Sequence, residues 1–166
     1  MIAQARARIT RRIRSTSEEV RKAVVTITRQ ADRSLAILTP DLESEIFDHS
    51  EFLESLKKFT LARGFARVRV LISDPPRTIK SGNEFVRMGR RLNSYIEFRN
   101  IREEFRGGEE TFCIADEGAL AYRLDGRRWE GMSDTNEPAV ARKYLDSFDE
   151  LWHAGETDAT LRQMPL

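Results

Sequence analysis

Three short apolar runs, set apart by stretches of helical length and spacing, most constrain what this chain can fold into. They are Ser34–Thr39 (SLAILT), Val68–Ile72 (VRVLI) and Tyr95–Arg99 (YIEFR). Each is too short for a helix, and the first two are closed by Pro40 and by the turn Ser73-Asp74-Pro75-Pro76, so the runs are predicted to be strands. Between the first two, Ser50 is placed to N-cap a helix that carries Phe52, Leu53, Leu56 and Phe59 on one face and ends at Gly64. Between the second and third, residues 83–92 present Phe85, Met88 and Leu92 at helical intervals. Strands alternating with helices in this way predict an α/β fold, with helices packed on a sheet. After the loop holding Gly107-Gly108, the runs 111–115 and 119–124 flank Asp116-Glu117-Gly118 and predict a hairpin, which adds an antiparallel element. A loop over 125–137 then leads to a last helix from Pro138 to Trp152, with Val140, Tyr144, Leu145, Phe148 and Trp152 on one side.

The N-terminal part carries both a helix and a charge asymmetry. Ser15 to Glu18 and Thr16 to Glu19 match the capping-box spacing, and a helix is predicted from Ser17 to Ala31. Apolar residues at Ile2, Ala5, Ile9 and Ile13 continue the same spacing backwards, so residues 1–16 read as a basic arm or as an extension of that helix. A continuous helix would be about 45 Å long, which leaves its distal half in need of a partner. Residues 1–30 hold eight Arg and Lys against two Glu, although the whole chain has a formal net charge of only +1. Arg6, Arg8, Arg11, Arg12 and Arg14 come before the first acid.

With 166 residues the chain is sized for one domain with a real core. The expected layout is the arm at 1–16, the α/β domain at 17–153 and a tail at 154–166. No apolar run is long enough to span a bilayer, and the default reading is a cytoplasmic bacterial protein. A single cysteine, Cys113, rules out an internal disulfide framework and a Cys-rich zinc site, and no cofactor or metal is assigned.

The run Glu109-Glu110-Thr111-Phe112-Cys113-Ile114-Ala115-Asp116, the turn after it, Ser133-Asp134-Thr135-Asn136, and the closing helix with Phe148 and Trp152 together resemble the phospholipase D superfamily. There the layout is H-x-K-x-x-x-x-D, a turn, G-S-x-N and a helix ending F-x-x-x-W. The resemblance extends over about residues 17–153, including Leu35-Ala-Ile-Leu-Thr-Pro and Ala66-Arg-Val-Arg-Val-Leu-Ile. It is also similar to small bacterial domains of unknown function with a degenerate phospholipase D fold, through Arg90-Arg91-Leu92-Asn93-Ser94-Tyr95-Ile96-Glu97-Phe98-Arg99. It implies one half of a phospholipase D-like unit, a mixed sheet flanked by helices. Because two copies of the motif meet across a twofold axis in that superfamily, it also implies a homodimer.

The chemistry implied by the resemblance needs a nucleophilic imidazole, and a Lys and Asn to neutralise charge growing on the phosphoryl oxygens. Seven and five residues before Asp116 stand Glu109 and Thr111, so the His and Lys are absent and only the Asp remains. Ser133 and Asn136 echo G-S-x-N at altered spacing, with turn and N-cap chemistry as the plainer alternative. Asp116 is expected to act structurally. No catalytic residue is assigned. Neither histidine, His49 nor His153, lies in the motif strand, and the enzyme reading leans to no.

Three functional classes follow. The first is a non-catalytic interaction or regulatory domain with a protein partner. The second is a phosphate-backbone or nucleic-acid-binding module, using the N-terminal arginines with Arg87, Arg90, Arg91, Arg99, Arg102 and Arg106; the alternative for these residues is surface ion pairing with Glu84, Glu97, Glu103 and Glu104. The third is a phosphodiesterase with displaced catalytic residues, His49 among them.

Overall fold

In the computed structural model, residues 11–62, 64–79 and 84–157 are described, without the side chain of Ile79. The polar, turn-rich joints separate eight strands and six helices among these residues. In order they are β1 (Arg11–Arg14), α1 (Ser17–Gln30), β2 (Ser34–Thr39), α2 (Ser44–Phe47), α3 (Ser50–Ala62), β3 (Arg67–Ile72), α4 (Pro75–Ile79), α5 (Glu84–Arg91), β4 (Ile96–Asn100), β5 (Thr111–Ala115), β6 (Ala119–Arg123), β7 (Gly131–Asp134), α6 (Pro138–Ala154) and β8 (Glu156–Thr157). The strands make one sheet in the order β1-β7-β6-β5-β2-β3-β4-β8. Strands β2, β3 and β4 are parallel and joined by helical crossovers, whereas β5, β6, β7 and β1 pair antiparallel. This is the mixed sheet flanked by helices that the sequence predicts.

Alternation along the strands sorts the core into two layers. Leu35, Ile37, Val68, Val70, Phe98 and Cys113 face a cluster made with α1, α2, α3 and α5. Ala36, Leu38, Leu71, Phe112, Ile114 and Leu120 face α6 through Ala141, Leu145, Phe148 and Trp152. On the first side Phe47, Phe52, Phe85 and Phe98 interlock, with edge-on ring pairs at centroid separations of 5.0–5.3 Å. On the second, Trp152 stacks on Phe148 at 5.9 Å. Arg99 lies over the indole at 4.3 Å and donates to the Trp152 carbonyl at 2.8 Å. Arg69 sits over Phe148 and is paired with Asp149 at 2.8 Å. The aromatic pair that closes the resemblance is therefore the main anchor of α6.

The start of α1 follows its sequence code. Thr16 accepts from the Glu19 amide at 3.1 Å, and its hydroxyl donates back to the Glu19 carboxylate at 3.1 Å. Thr16→Ala is expected to cost about 1 kcal/mol, measured by urea unfolding. A loss indistinguishable from zero would mean that the cap adds nothing to α1.

Of the two expectations for the segment before this cap, the helix extension does not hold over 11–14. Arg11–Arg14 do not extend the helix; they pair antiparallel with Gly131–Asp134, and Ile13 is 77% exposed. Ser15 and Thr16 take the chain out of the strand and cap the helix separately, so apolar spacing across them had no common face to fill. Residues 1–10, with Arg6 and Arg8, lie outside the described residues. The predicted loop at 125–137 likewise contains β7, whose Gly-Met-Ser-Asp sequence lacks strand-like alternation and is held between β6 and β1.

Candidate functional site

Strand β2 has β3 parallel on one side and β5 antiparallel on the other. Beyond the carboxyl ends of β2 and β3 the connections diverge, the usual place for a crevice in an α/β sheet. A cleft of about 640 Å³ opens there. Its walls are the segments after β2 (Pro40, Asp41), after β3 (Ser73, Asp74), before β5 (Gly107 to Glu110) and after β6 (Asp125 to Arg127, Trp129). Seven carboxylate side chains line it (Asp41, Glu43, Glu45, Asp74, Glu109, Glu110 and Asp125) against two guanidiniums, Arg77 and Arg127. Its field favours cations, not the phosphate that a phosphodiesterase site attracts.

Glu109 and Thr111 both reach this end of β5. Glu109 is exposed on the rim and pairs with Arg127 at 2.9 Å. Thr111 is 4% exposed and donates its hydroxyl to the Leu38 carbonyl at 2.7 Å. Behind Thr111 lies a group that sequence reasoning missed. Arg123, on β6, donates to both oxygens of Glu43 at 2.6 and 2.5 Å, and their side chains are only 4% and 9% exposed. The same guanidinium donates to the carbonyls of Gly126 (3.2 Å) and Arg128 (2.8 Å) and lies over Trp129 at 4.7 Å. Burial pushes the Glu43 carboxyl up, and the Arg123 charge opposes that rise. The available signal was slight: Arg123 stands at an inward position of a strand, directly across from Thr111.

Asp116 sits at the other end of β5, in the hairpin turn with φ +56°. Its carboxylate accepts from the amides of Arg33 at 2.7 Å, Ser34 at 3.1 Å and Asp32 at 3.1 Å, and its own amide donates to the Ser34 carbonyl at 2.9 Å. It fastens the hairpin to the turn between α1 and β2. Ser133, on β7, accepts from Arg14 at 2.9 Å, and the Asn136 amide donates to Asp134 at 2.9 Å. Ser133 is opposite Ala121 of β6, so neither it nor Asn136 joins Thr111 at the cleft.

The suggested anion-binding arginines are likewise dispersed. Arg87 pairs with Glu84, Arg99 with Glu97 at 2.7 Å and Arg102 with Glu104 at 2.6 Å. Arg106 donates to the Ile101 carbonyl at 2.9 Å. Arg90 is half-buried in α5, and Arg91, Arg11 and Arg12 are exposed. His49 accepts the Glu51 amide at the start of α3 at 3.4 Å, and His153 is exposed in the last turn of α6. Cys113 is buried, and burial raises its thiol to about 12, which disfavours the thiolate form a nucleophile needs. No group of three or more His, Cys, Asp or Glu among the described residues is placed to hold a metal. No helix among them is long and apolar enough to cross a membrane.

Comparison with solved structures shows the phospholipase D fold. The chain is similar to the phospholipase D family member Nuc from Salmonella typhimurium (TM-score 0.60, 16% identity, 89% of this chain and 97% of that one). It is similar to NucT from Helicobacter pylori (TM-score 0.58, 12% identity, 89% and 98%). It also superposes on the archaeal chromatin protein TrmBL2, which shows a novel mode of DNA binding (TM-score 0.65, 11% identity, 90% of this chain). The chain spans about half (53%) of TrmBL2's length. No curated protein matches it by sequence. The model of one family, a domain of unknown function (DUF7931), matches residues 16–164, and this chain belongs to that family.

Proposed function

We propose that this protein is a non-catalytic phospholipase D-like module that acts by binding, as an interaction or regulatory domain. The observation that carries the reading is the occupancy of the reaction's place. Counted back from Asp116, Glu109 and Thr111 stand where the superfamily's motif has its nucleophile and phosphate clamp; Thr111 is tied to the Leu38 carbonyl, and the buried Glu43–Arg123 pair lies behind it. A rim carboxylate held by Arg127 and a threonine tied to a backbone carbonyl supply neither a nucleophilic imidazole nor a cation.

One specific observation favours a second reading, phosphate-backbone binding. Arg11 and Arg12 are exposed on β1, and Arg6 and Arg8 precede them in the sequence. The arginines of 87–106 add less to that reading, since Arg87, Arg99 and Arg102 are paired with glutamates.

Two experiments separate the readings. Hydrolysis of bis(p-nitrophenyl) phosphate should stay at background, and turnover that vanishes in His49→Ala would sink the non-catalytic reading. Labelled duplex DNA titrated at low and high salt tests the second. Affinity that falls steeply with salt and disappears in Arg11→Ala/Arg12→Ala would favour it. Light scattering checks the homodimer that the superfamily's twofold pairing suggests, and a one-chain mass at micromolar concentration would reject it.

A further inference from the structure

The Gly107-Gly108 loop separates two concavities of different character that share walls. On its far side from the acidic cleft, a smaller groove of about 110 Å³ is lined mainly by Leu38, Ile101, Phe105, Phe112, Phe148 and Leu151; Arg106, whose Nε donates to the Ile101 carbonyl, is also in its wall. Groove and cleft have Ser73, Gly107, Gly108 and Glu110 in common, so each opens beside the other. The groove is not a closed packing defect. Phe105, in the 3₁₀ turn at 103–105, is 52% exposed, although it lines the groove. A large apolar side chain half in water beside a preformed apolar groove favours any occupant that dries it.

Charge decides which occupant fits. Several cleft carboxylates are already committed: Glu43 to Arg123, Asp41 to Arg77 (3.1 Å), and Glu109 and Asp125 both to Arg127. Among the described residues no ion-pair partner faces Glu45, Asp74 or Glu110. Glu110 stands on the wall common to groove and cleft, and Asp74 follows the shared Ser73. A ligand anchored in the groove therefore meets uncompensated negative charge as it leaves it.

We infer that groove and cleft together form a docking site for an extended cationic segment of a partner protein, in which one aromatic or aliphatic side chain enters the groove and adjacent Lys or Arg residues lie along Glu110, Asp74 and Glu45. This rests on the binding-module reading above and names the class of partner for that same face. An acidic segment or a nucleic-acid backbone would be repelled by the cleft. A small polyvalent cation would leave the groove empty and Phe105 wet.

The test is a random twelve-residue peptide display library panned on the full chain, followed by fluorescence anisotropy with the selected peptides made synthetically. Enriched peptides are expected to carry Lys or Arg next to an aromatic or aliphatic residue. Replacing that anchor by Ser should weaken binding about tenfold or more, as should Phe105→Ser or Glu110→Lys in the protein, and affinity should fall with salt. Both protein substitutions are at exposed positions, so folding is preserved and is checked by circular dichroism. The inference is overturned by no enrichment, by acidic or uncharged winners, or by peptides whose affinity ignores both substitutions. Peptides that tolerate loss of the anchor would also overturn it, since they would report diffuse attraction to acids. These failures leave the non-catalytic reading standing; only phosphodiesterase turnover removes that one.

Discussion

Arg123→Met is expected to destabilise the protein by roughly 3–5 kcal/mol, the usual cost of leaving a buried carboxylate without its partner. The guanidinium satisfies Glu43 through two hydrogen bonds, ties down two carbonyls of the loop after β6 and covers Trp129. Methionine fills similar volume but offers none of these donors. The melting temperature should drop by about 6–20 °C for a domain of this size. Glu43→Gln should cost less, since the arginine keeps its carbonyl acceptors and the amide oxygen still accepts. The pH dependence has a definite sign. The folded-state pKa of Glu43 is raised, so its titration favours the folded state below the unfolded-state pKa, and that contribution is lost as pH rises through the folded value. Removing Arg123 withdraws the one strong opposing charge and raises the carboxyl further. Followed from about pH 7 down to about pH 5, the gap between wild type and Arg123→Met should therefore narrow as pH falls. A gap that is constant across that range, or a loss under about 1 kcal/mol, would show that the pair does not hold this end of the sheet.

Asp116→Ala is expected to cost about 3 kcal/mol, with two separable parts. Three successive amides, from Asp32 to Ser34, lose a charged acceptor, and hydrogen bonds to charged groups are worth about 1.5–3 kcal/mol each before solvent replaces them. Alanine must also adopt φ near +56°, a left-handed conformation costing about 1–2 kcal/mol for an ordinary residue. Asp116→Asn separates the parts, because asparagine tolerates that backbone region and keeps one acceptor. Asn should recover more than half of the loss in chemical unfolding. Asn and Ala variants of equal stability would show that the carboxylate charge matters and the turn geometry does not.

The parts of the fold legible in the sequence were those driven by burial. Val68–Ile72, Ser34–Thr39 and the face of α6 carrying Leu145, Phe148 and Trp152 show period and length together, because one face of each must meet the core. Asp116 was legible as a turn residue from its place beside Gly118. Strands β1 and β7 were not, because their partners are main chain. Arg11–Arg14 expose most of their side chains, and pairing through N–H and C=O groups leaves no residue-type pattern. The site was hidden for a different reason. Its deciding feature, Glu43 with Arg123, joins residues 80 positions apart. The sequence offers many other arginines, and only the register of β5 against β6 singles out this one.

The outermost strand β1 limits how copies of the chain can meet. Among the described residues β1 is the outermost strand and Arg11 and Arg12 are exposed on it, so a second molecule continuing the sheet through its own β1 would set guanidiniums against guanidiniums. Like charges on an edge strand act as a fence against strand-to-strand association, one that weakens as salt rises. The same residues that suggest attraction to a polyanion would thus disfavour edge-to-edge pairing of the chain with its own kind.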